Sequence, residues 1–302
     1  MTKRIILAGG SGFLGRALAR EFGRGGAYEV VTLTRAPRAV GDVHWDGHTV
    51  GRWAAVVDGA DAVVNLAGRS VNCRYTARNL AEIDESRVNA VRAIGAAIRA
   101  AARPPPVLVQ ASTTAIYGDA GDRWCDEATP PGDGIPPRTA TKWERAFADS
   151  PTPQTRRVLL RISFAIGPGG GVLSMLATLA RCFLGGTVGT GRQYVSWVHA
   201  DDVARFCRHA VEDGRVTGVY NVATPNPVTN AALMRELRRV LGRPWSPPAP
   251  AWAVRVGCAL LRTEPVLALT GRRANVDRLL ATGFQFRYPE LAPALRAALS
   301  RS

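Results

Sequence analysis

Ile5-Ile6-Leu7-Ala8-Gly9-Gly10-Ser11-Gly12-Phe13-Leu14-Gly15 is the stretch on which the fold of this chain turns. The apolar run Ile5–Ala8 reads as a buried strand, and Phe13 to Arg24 reads as a helix with Phe13, Leu14, Leu18 and Phe22 on one side. Glycines placed between a strand and a helix have distinct physical duties. The first admits a positive backbone angle, the middle one lets a pyrophosphate approach the main chain, and the last lets the helix pack closely on the strand. The amides at the helix start then point at the phosphates. Two glycine templates are satisfied at once, Gly10-x-Gly12-x-x-Gly15 and Gly9-x-x-Gly12-x-x-Gly15.

Beyond that turn the first half alternates short β-branched runs with helical patterns, as βαβ units of a parallel sheet do. Strands are expected at Tyr28–Leu33, Val43–Trp45, Ala62–Leu66, Val107–Ser112 and Val158–Ile162. A long helix is expected over Arg78–Ala102, stopped by Pro104–Pro106, and a shorter one over Thr141–Ala148. Residues 118–137, rich in Gly, Asp and Pro, read as a long loop. After the flexible Gly167–Gly171 the pattern gives helices near Val172–Phe183 and Thr229–Leu241 and a strand at Val219–Val222. A further helix lies within Trp197–Glu212, with Asp201 or Asp202 as its cap. Residues 244–250 read as a linker, and the remainder as mostly helical. The expected fold class is therefore α/β: a Rossmann-type, doubly wound, mainly parallel sheet with a smaller helix-rich C-terminal substrate lobe. Its parts are a nucleotide domain at 1–165, onto which some C-terminal segments fold back, a substrate-side lobe at 166–245, and a helical domain at 251–299.

The end of the second strand selects the nucleotide. An acid there binds the ribose hydroxyls of NAD, whereas a guanidinium holds the 2′-phosphate of NADP. The chain reads Thr34-Arg35-Ala36-Pro37-Arg38, with no acid before Asp42. NADP(H) is the expected cofactor, with Arg35 as its main contact and Thr34 and Arg38 helping. The competing reading makes the arginines ordinary surface groups in an arginine-rich protein.

Composition narrows the classes. The 302 residues are 46% apolar, enough to bury a core, and no apolar run reaches membrane-spanning length. The start is too short and Gly-interrupted for a signal peptide, so a cytoplasmic protein with no membrane partner is expected. The net charge of +15 comes almost wholly from scattered arginines, with lysines only at 3 and 142. A solvated surface is favoured over a nucleic-acid face. The five cysteines, Cys73, Cys125, Cys182, Cys207 and Cys258, lack paired spacing and read as reduced thiols. His44 and His48 flank a turn, and no metal site is expected.

Gly9–Gly15, the strand end Asn65-Leu66-Ala67-Gly68 and Ser112-Thr113-Thr114-Ala115-Ile116-Tyr117-Gly118 together resemble the extended short-chain dehydrogenase/reductase superfamily. Gly191-Arg192-Gln193-Tyr194-Val195-Ser196-Trp197-Val198-His199 with Asp201-Asp202-Val203 resembles its atypical epimerase group. So does Tyr220–Asn230, and Gly283–Pro289 resembles that group's small C-terminal domain of unknown function. The resemblance spans nearly the whole chain. It implies NAD-dependent epimerase/dehydratase kinship and NADP(H) as cofactor, and it names no substrate. By position it implies Gly9, Gly12, Phe13, Leu14, Thr34, Arg35, Asn65, Ala67, Gly68 and Lys142 around the cofactor.

The superfamily works with a Ser or Thr, a Tyr and a Lys in the pattern Tyr-x-x-x-Lys, the Tyr moving the proton and the Lys lowering its pKa. Thr113 matches the Ser/Thr position and Lys142 the Lys, but Arg138 stands where the Tyr belongs. Arginine stays protonated and makes a poor acid or base. Three readings remain. Tyr117 supplies the phenol, although a pocket wall is the favoured role for it. Alternatively Lys142 or water is the proton source, or the chain turns nothing over. Thr113, Tyr117 and Lys142 are the candidate catalytic residues, and Arg192, Gln193, Trp197 and His199 the candidate substrate contacts. His199 is equally well a packing histidine. The expected function is an NADP(H)-dependent oxidoreductase or epimerase-like enzyme acting on a small polar molecule, as a monomer or homodimer. The alternative is a non-catalytic NADP(H)-binding regulator or sensor, in line with the cell-division label some relatives carry.

Overall fold

The computed structural model describes residues 2–300. In chain order the elements are β1 (Lys3–Ala8), α1 (Phe13–Gly23), β2 (Tyr28–Thr34), β3 (Asp42–His44), β4 (Ala62–Asn65), α2 (Ala77–Ala100), β5 (Val107–Thr113), β6 (Trp124–Cys125), α3 (Ile135–Ala148), β7 (Arg156–Ile162) and β8 (Phe164–Ile166). They continue with α4 (Val172–Arg181), β9 (Tyr194–Val195), β10 (Trp197–His199), α5 (Ala200–Glu212), β11 (Gly218–Val222), β12 (Val228–Thr229), α6 (Asn230–Val240), α7 (Ala251–Leu260), α8 (Val266–Leu269), β13 (Arg273–Ala274), α9 (Asp277–Leu280) and α10 (Leu291–Leu299).

Seven strands form one sheet in the order β11-β7-β5-β4-β1-β2-β3, with every neighbouring pair parallel. The strand order reverses between β1 and β4, and that is where an open α/β sheet leaves a crevice above its strand ends. The fold is the Rossmann-like α/β arrangement expected. The sheet is dry on both faces: Ile5, Ile6, Leu7, Val63, Val64, Val109, Val158 and Leu160 are fully buried, as parallel strands covered by helices must be. A second core joins Leu173, Ala180, Trp197, Leu233, Leu237, Ala294 and Leu295, so α4, β10, α6 and α10 are packed as one body.

Three local expectations are corrected. Helix α3 begins at Ile135, six residues before the expected Thr141. Pro136 and Pro137 occupy its first turn, where a missing N–H costs nothing. The long loop before it contains β6, which pairs with β13 from the far end of the chain. Helix α5 is capped by His199, whose Nδ1 accepts from the Asp201 amide at 3.1 Å, and by neither aspartate. Asp202 is fully buried and accepts instead from the amides of Arg287 (2.7 Å) and Tyr288 (2.9 Å), fastening the C-terminal segment to α5.

Among the described residues no helix is long and apolar enough to cross a membrane.

Candidate functional site

The glycine turn is built as its spacing demands. Gly9 has φ +77°, and a Cβ there would stand 3.0 Å from the Ala67 amide nitrogen. A Cβ on Gly15 would fall 2.4 Å from the Gly10 carbonyl oxygen, so only glycine lets α1 start this close to β1. Gly12 caps α1 with no side-chain bond, leaving the first amides of the helix for an external acceptor.

Above this turn lies a cleft of about 520 Å³. Its lining includes Gly9, Gly12, Thr34, Arg35, Ala67 and Gly68 of the expected cofactor contacts. Arg35 is exposed and forms no ion pair with any described residue. Its neighbour acid, Asp42, is turned inward on its own loop, accepting from the amides of Arg38 (2.8 Å) and Ala39 (2.9 Å). Thr34 is buried, its hydroxyl bonded to Ser11 Oγ at 3.2 Å, so it fixes the turn as well as facing the cleft.

Five expected cofactor residues lie outside that lining, among them Arg38, which is exposed on the loop before β3. The Phe13 ring packs into the Gly167–Gly171 loop, where a Cβ on Gly170 would meet it at 2.7 Å, and Leu14 packs on the main core. Asn65 is fully buried; its Oδ1 accepts from the Ala67 amide at 3.0 Å and its Nδ2 donates to Gln110 Oε1 at 2.8 Å. It shapes the cleft wall through the backbone. Lys142 stands on α3, outside the lining. Sequence reasoning missed four further lining residues, Trp45, Asp46, Gly47 and His48. Pairing of β3 with β2 brings that turn to the cleft, and nothing local announces it. Burial opposes the charge on Asp46, yet bonds from the Thr49 side chain and from the amides of Thr49 and His48 hold its carboxyl down at about 2. Asp46 is thus a fixed anion whose acceptors are spent on its own turn.

The three candidate catalytic groups differ in availability. Thr113, at the end of β5, accepts from the Ala115 amide at 3.1 Å and donates to no described residue. Lys142 is exposed on α3, its Nζ donating to Asp84 Oδ2 of α2 at 2.6 Å, while Thr139 donates to the other oxygen of Asp84 at 2.7 Å. Arg138, one turn earlier, is exposed, and among the described residues its side chain donates only to the Gly134 carbonyl at 3.2 Å.

Tyr117 is 1% exposed. Its hydroxyl donates to Asn221 Oδ1 at 2.7 Å and accepts from Arg161 Nη1 at 3.0 Å. Burial pushes the phenol up to about 12. Burial also works against the Arg161 charge, but the two-pronged bond to Glu144 (2.9 and 2.8 Å) holds the guanidinium above its ordinary range. Ser112 donates to the same Glu144 at 2.6 Å, and Asn221 Nδ2 donates to the carbonyls of Cys125 and Asn275. These groups tie β5, α3, β7, β11 and the approach to α9 into one satisfied polar knot. Tyr117 is a member of that knot, which corrects its candidacy as an available acid.

Two of the expected substrate contacts are interior. Trp197 is fully buried in the second core and donates from Nε1 to the Asn226 carbonyl at 3.1 Å. His199 is 1% exposed, caps α5, and its ring centroid lies 4.2 Å from that of Tyr288. Gln193 spans two loops, donating to the carbonyls of Val188 (3.0 Å) and Ala268 (3.1 Å). Arg192 alone is exposed.

Comparison with known proteins agrees with this architecture. The model of the NAD dependent epimerase/dehydratase family matches residues 5–223, and that of a domain of unknown function, DUF1731, matches residues 249–298. Epimerase family protein SDR39U1 of Homo sapiens is 33% identical over 297 residues, 97% of this chain and 98% of that protein. Epimerase family protein YfhF of Bacillus subtilis is 32% identical over 302 residues, 96% of each chain. The crystal structure of human SDR39U1 (isoform2) with NADPH superposes with a TM-score of 0.89 at 33% identity, covering 98% of this chain and 99% of that one.

Proposed function

The chain belongs to the NAD dependent epimerase/dehydratase family, and from that membership we propose that it binds NADP(H) in the cleft over Gly9–Gly15 and acts as an oxidoreductase or epimerase on a small polar molecule. The observation that carries the reading is the pairing of an uncapped helix start with an unpaired Arg35 on one cleft wall. The amides after Gly12 would hold the pyrophosphate, and Arg35, steadied beside Thr34, would hold the 2′-phosphate. That human SDR39U1 was crystallised with NADPH supports the choice of phosphate over free ribose hydroxyls.

NADP(H), when bound, supplies or accepts a hydride. The chain's own part is to orient the substrate oxygen and move its proton. Thr113 has a hydroxyl proton to give to that oxygen as a hydrogen bond. Tyr117 is committed elsewhere and Arg138 does not release a proton at neutral pH, so the proton falls to Lys142 or to water beside it. Asp84 and Thr139 would keep the Lys142 ammonium in place. Arg192 is the remaining exposed candidate on the substrate side. We further propose that 1–165, 166–245 and 251–299 are functional rather than separately folding units, because α4, α6 and α10 share a core. The five unpaired thiols are the basis for proposing a cytoplasmic setting.

The alternative, a nucleotide-binding regulator without turnover, is favoured by Arg138 in the Tyr position together with the engagement of Tyr117. Titration with NADPH, NADH and their oxidised forms, beside Arg35→Ala, tests the cofactor. Tight NADPH binding that weakens in the variant supports it; equal or absent binding of all four refutes it. Screening of carbonyl compounds by NADPH oxidation then separates enzyme from regulator, with Arg138→Tyr as the discriminating variant.

A further inference from the structure

Helix α7 carries Trp252, Val256 and Leu260 at i, i+4 and i+8, a single stripe down one face, and each is more than half exposed. Such a stripe ordinarily faces a core. Here only Cys258 of the helix is fully packed. Further apolar side chains are exposed next to the helix in sequence and on the loop bonded to its approach. Leu261 follows the helix, and Trp245, Leu184 and Phe183 are also exposed. They are joined locally: Ser246 donates to the Phe183 carbonyl at 2.7 Å, and Gly189 and Ala249 bond across the two loops.

The charge along this segment of the chain has one sign. No Asp or Glu occurs between Glu236 and Glu264, whereas Arg238, Arg239, Arg243, Arg255 and Arg262 do. Arg181, beside Phe183, adds another. Arg181, Arg255 and Arg262 are exposed and pair with no carboxylate among the described residues. Arg243 lies over the Phe183 ring at 5.3 Å.

We propose that this face is a docking surface for an anionic lipid bilayer. An amphipathic helix with a tryptophan on its apolar side and an arginine beside it, as Trp252 and Arg255 are placed on α7, lies in the interface plane, its apolar side among the acyl chains and its cation at the headgroups. The charge decides against a second copy of this chain, because apposing two such faces would bring unpaired arginines together. The expectation of no membrane partner rested on the lack of a spanning segment, and a surface helix of this length, roughly 15 Å, needs none. Docking would also orient the molecule. Just after α7, Thr263 donates to Asn72 Oδ1 at 2.6 Å and Glu264 accepts from the Tyr75 amide at 2.6 Å, so the helix is bolted to the loop that follows β4.

Flotation of the full chain with vesicles of phosphatidylcholine, with and without one third phosphatidylglycerol, tests the proposal. Binding to the anionic vesicles alone is expected, weakened in 0.5 M salt and cut about tenfold or more in Trp252→Glu/Leu260→Glu. Both positions are exposed, and unchanged NADPH titration and circular dichroism check that the variant folds. No binding at low salt overturns the proposal. So does binding that persists in the variant, since the basic surface alone would then suffice. A dimer in light scattering that the double variant dissociates would assign the face to a second copy instead.

Discussion

Replacing Tyr117 by Phe separates a structural phenol from a catalytic one. The substitution removes one oxygen from a site that is 1% exposed and leaves the ring in place. Asn221 Oδ1 then loses its bond of 2.7 Å, the one hydrogen bond it accepts among the described residues. Arg161 Nη1 keeps its second bond, to the Glu127 carbonyl at 3.0 Å, so the cation is not stranded. A buried acceptor left unsatisfied costs about 1–3 kcal/mol. For a chain of this size that corresponds to a fall in Tm of roughly 2–6 °C, at about 2 °C per kcal/mol. The assay is ligand-free thermal unfolding followed by NADPH titration. The expected result is the Tm loss with NADPH affinity changed less than about twofold, since Tyr117 does not line the cleft. An unchanged Tm combined with loss of turnover or of NADPH affinity would refute the assignment, because the phenol would then be working on a ligand.

Arg35→Ala should weaken NADPH binding about 10- to 100-fold and leave NADH nearly untouched, read by fluorescence titration, since one charge-assisted pair is at stake. Gly15→Ala should destabilise by about 1–3 kcal/mol or prevent soluble expression, because backbone, not a movable side chain, stands 2.4 Å from the new Cβ. Asp202→Ala should cost about 2–3 kcal/mol and raise amide exchange at Arg287 and Tyr288, whose amides it now satisfies. The carboxyl of Asp46 is held at about 2, below its ordinary 3.8, despite the opposing effect of burial. Its contribution is therefore complete above about pH 4 and is lost as pH falls towards 2. Urea unfolding between those values should show a shallower pH dependence in Asp46→Asn than in the parent protein.

The glycine turn and the sheet were readable because their causes are local. Spacing within Gly9–Gly15 and alternation within each strand are set by neighbours in sequence. What sequence did not disclose is set by partners far along the chain. Pro136 and Pro137 look like loop residues until Gly134 turns the chain into a helix start. Trp197 and His199 have side chains that suit a ligand, and only the packing of α6, α10 and Tyr288 against them makes them interior. The short strand before Trp45 and the turn at His48 were both expected, but that the turn lines the cleft depends on how β3 pairs with β2, which no local pattern carries. Arg138 was the one irregularity visible at once, because it breaks a fixed four-residue spacing to Lys142.

The seventh strand of the sheet arrives late. Between β7, which ends at Ile162, and β11, which begins at Gly218, the chain builds β8, α4, β9, β10 and α5. At a synthesis rate of about 5–20 residues per second, that interval leaves the edge of β7 without its partner for roughly 3–11 s. A bare parallel edge is a template for pairing with another nascent chain. Its sequence, Arg156-Arg157-Val158-Leu159-Leu160-Arg161-Ile162, brackets an apolar centre with cations. In the finished protein these arginines bond to Val216, Phe147 and Glu144. On the ribosome, before β11 is made, the same charges would serve as guards that keep unfinished copies apart.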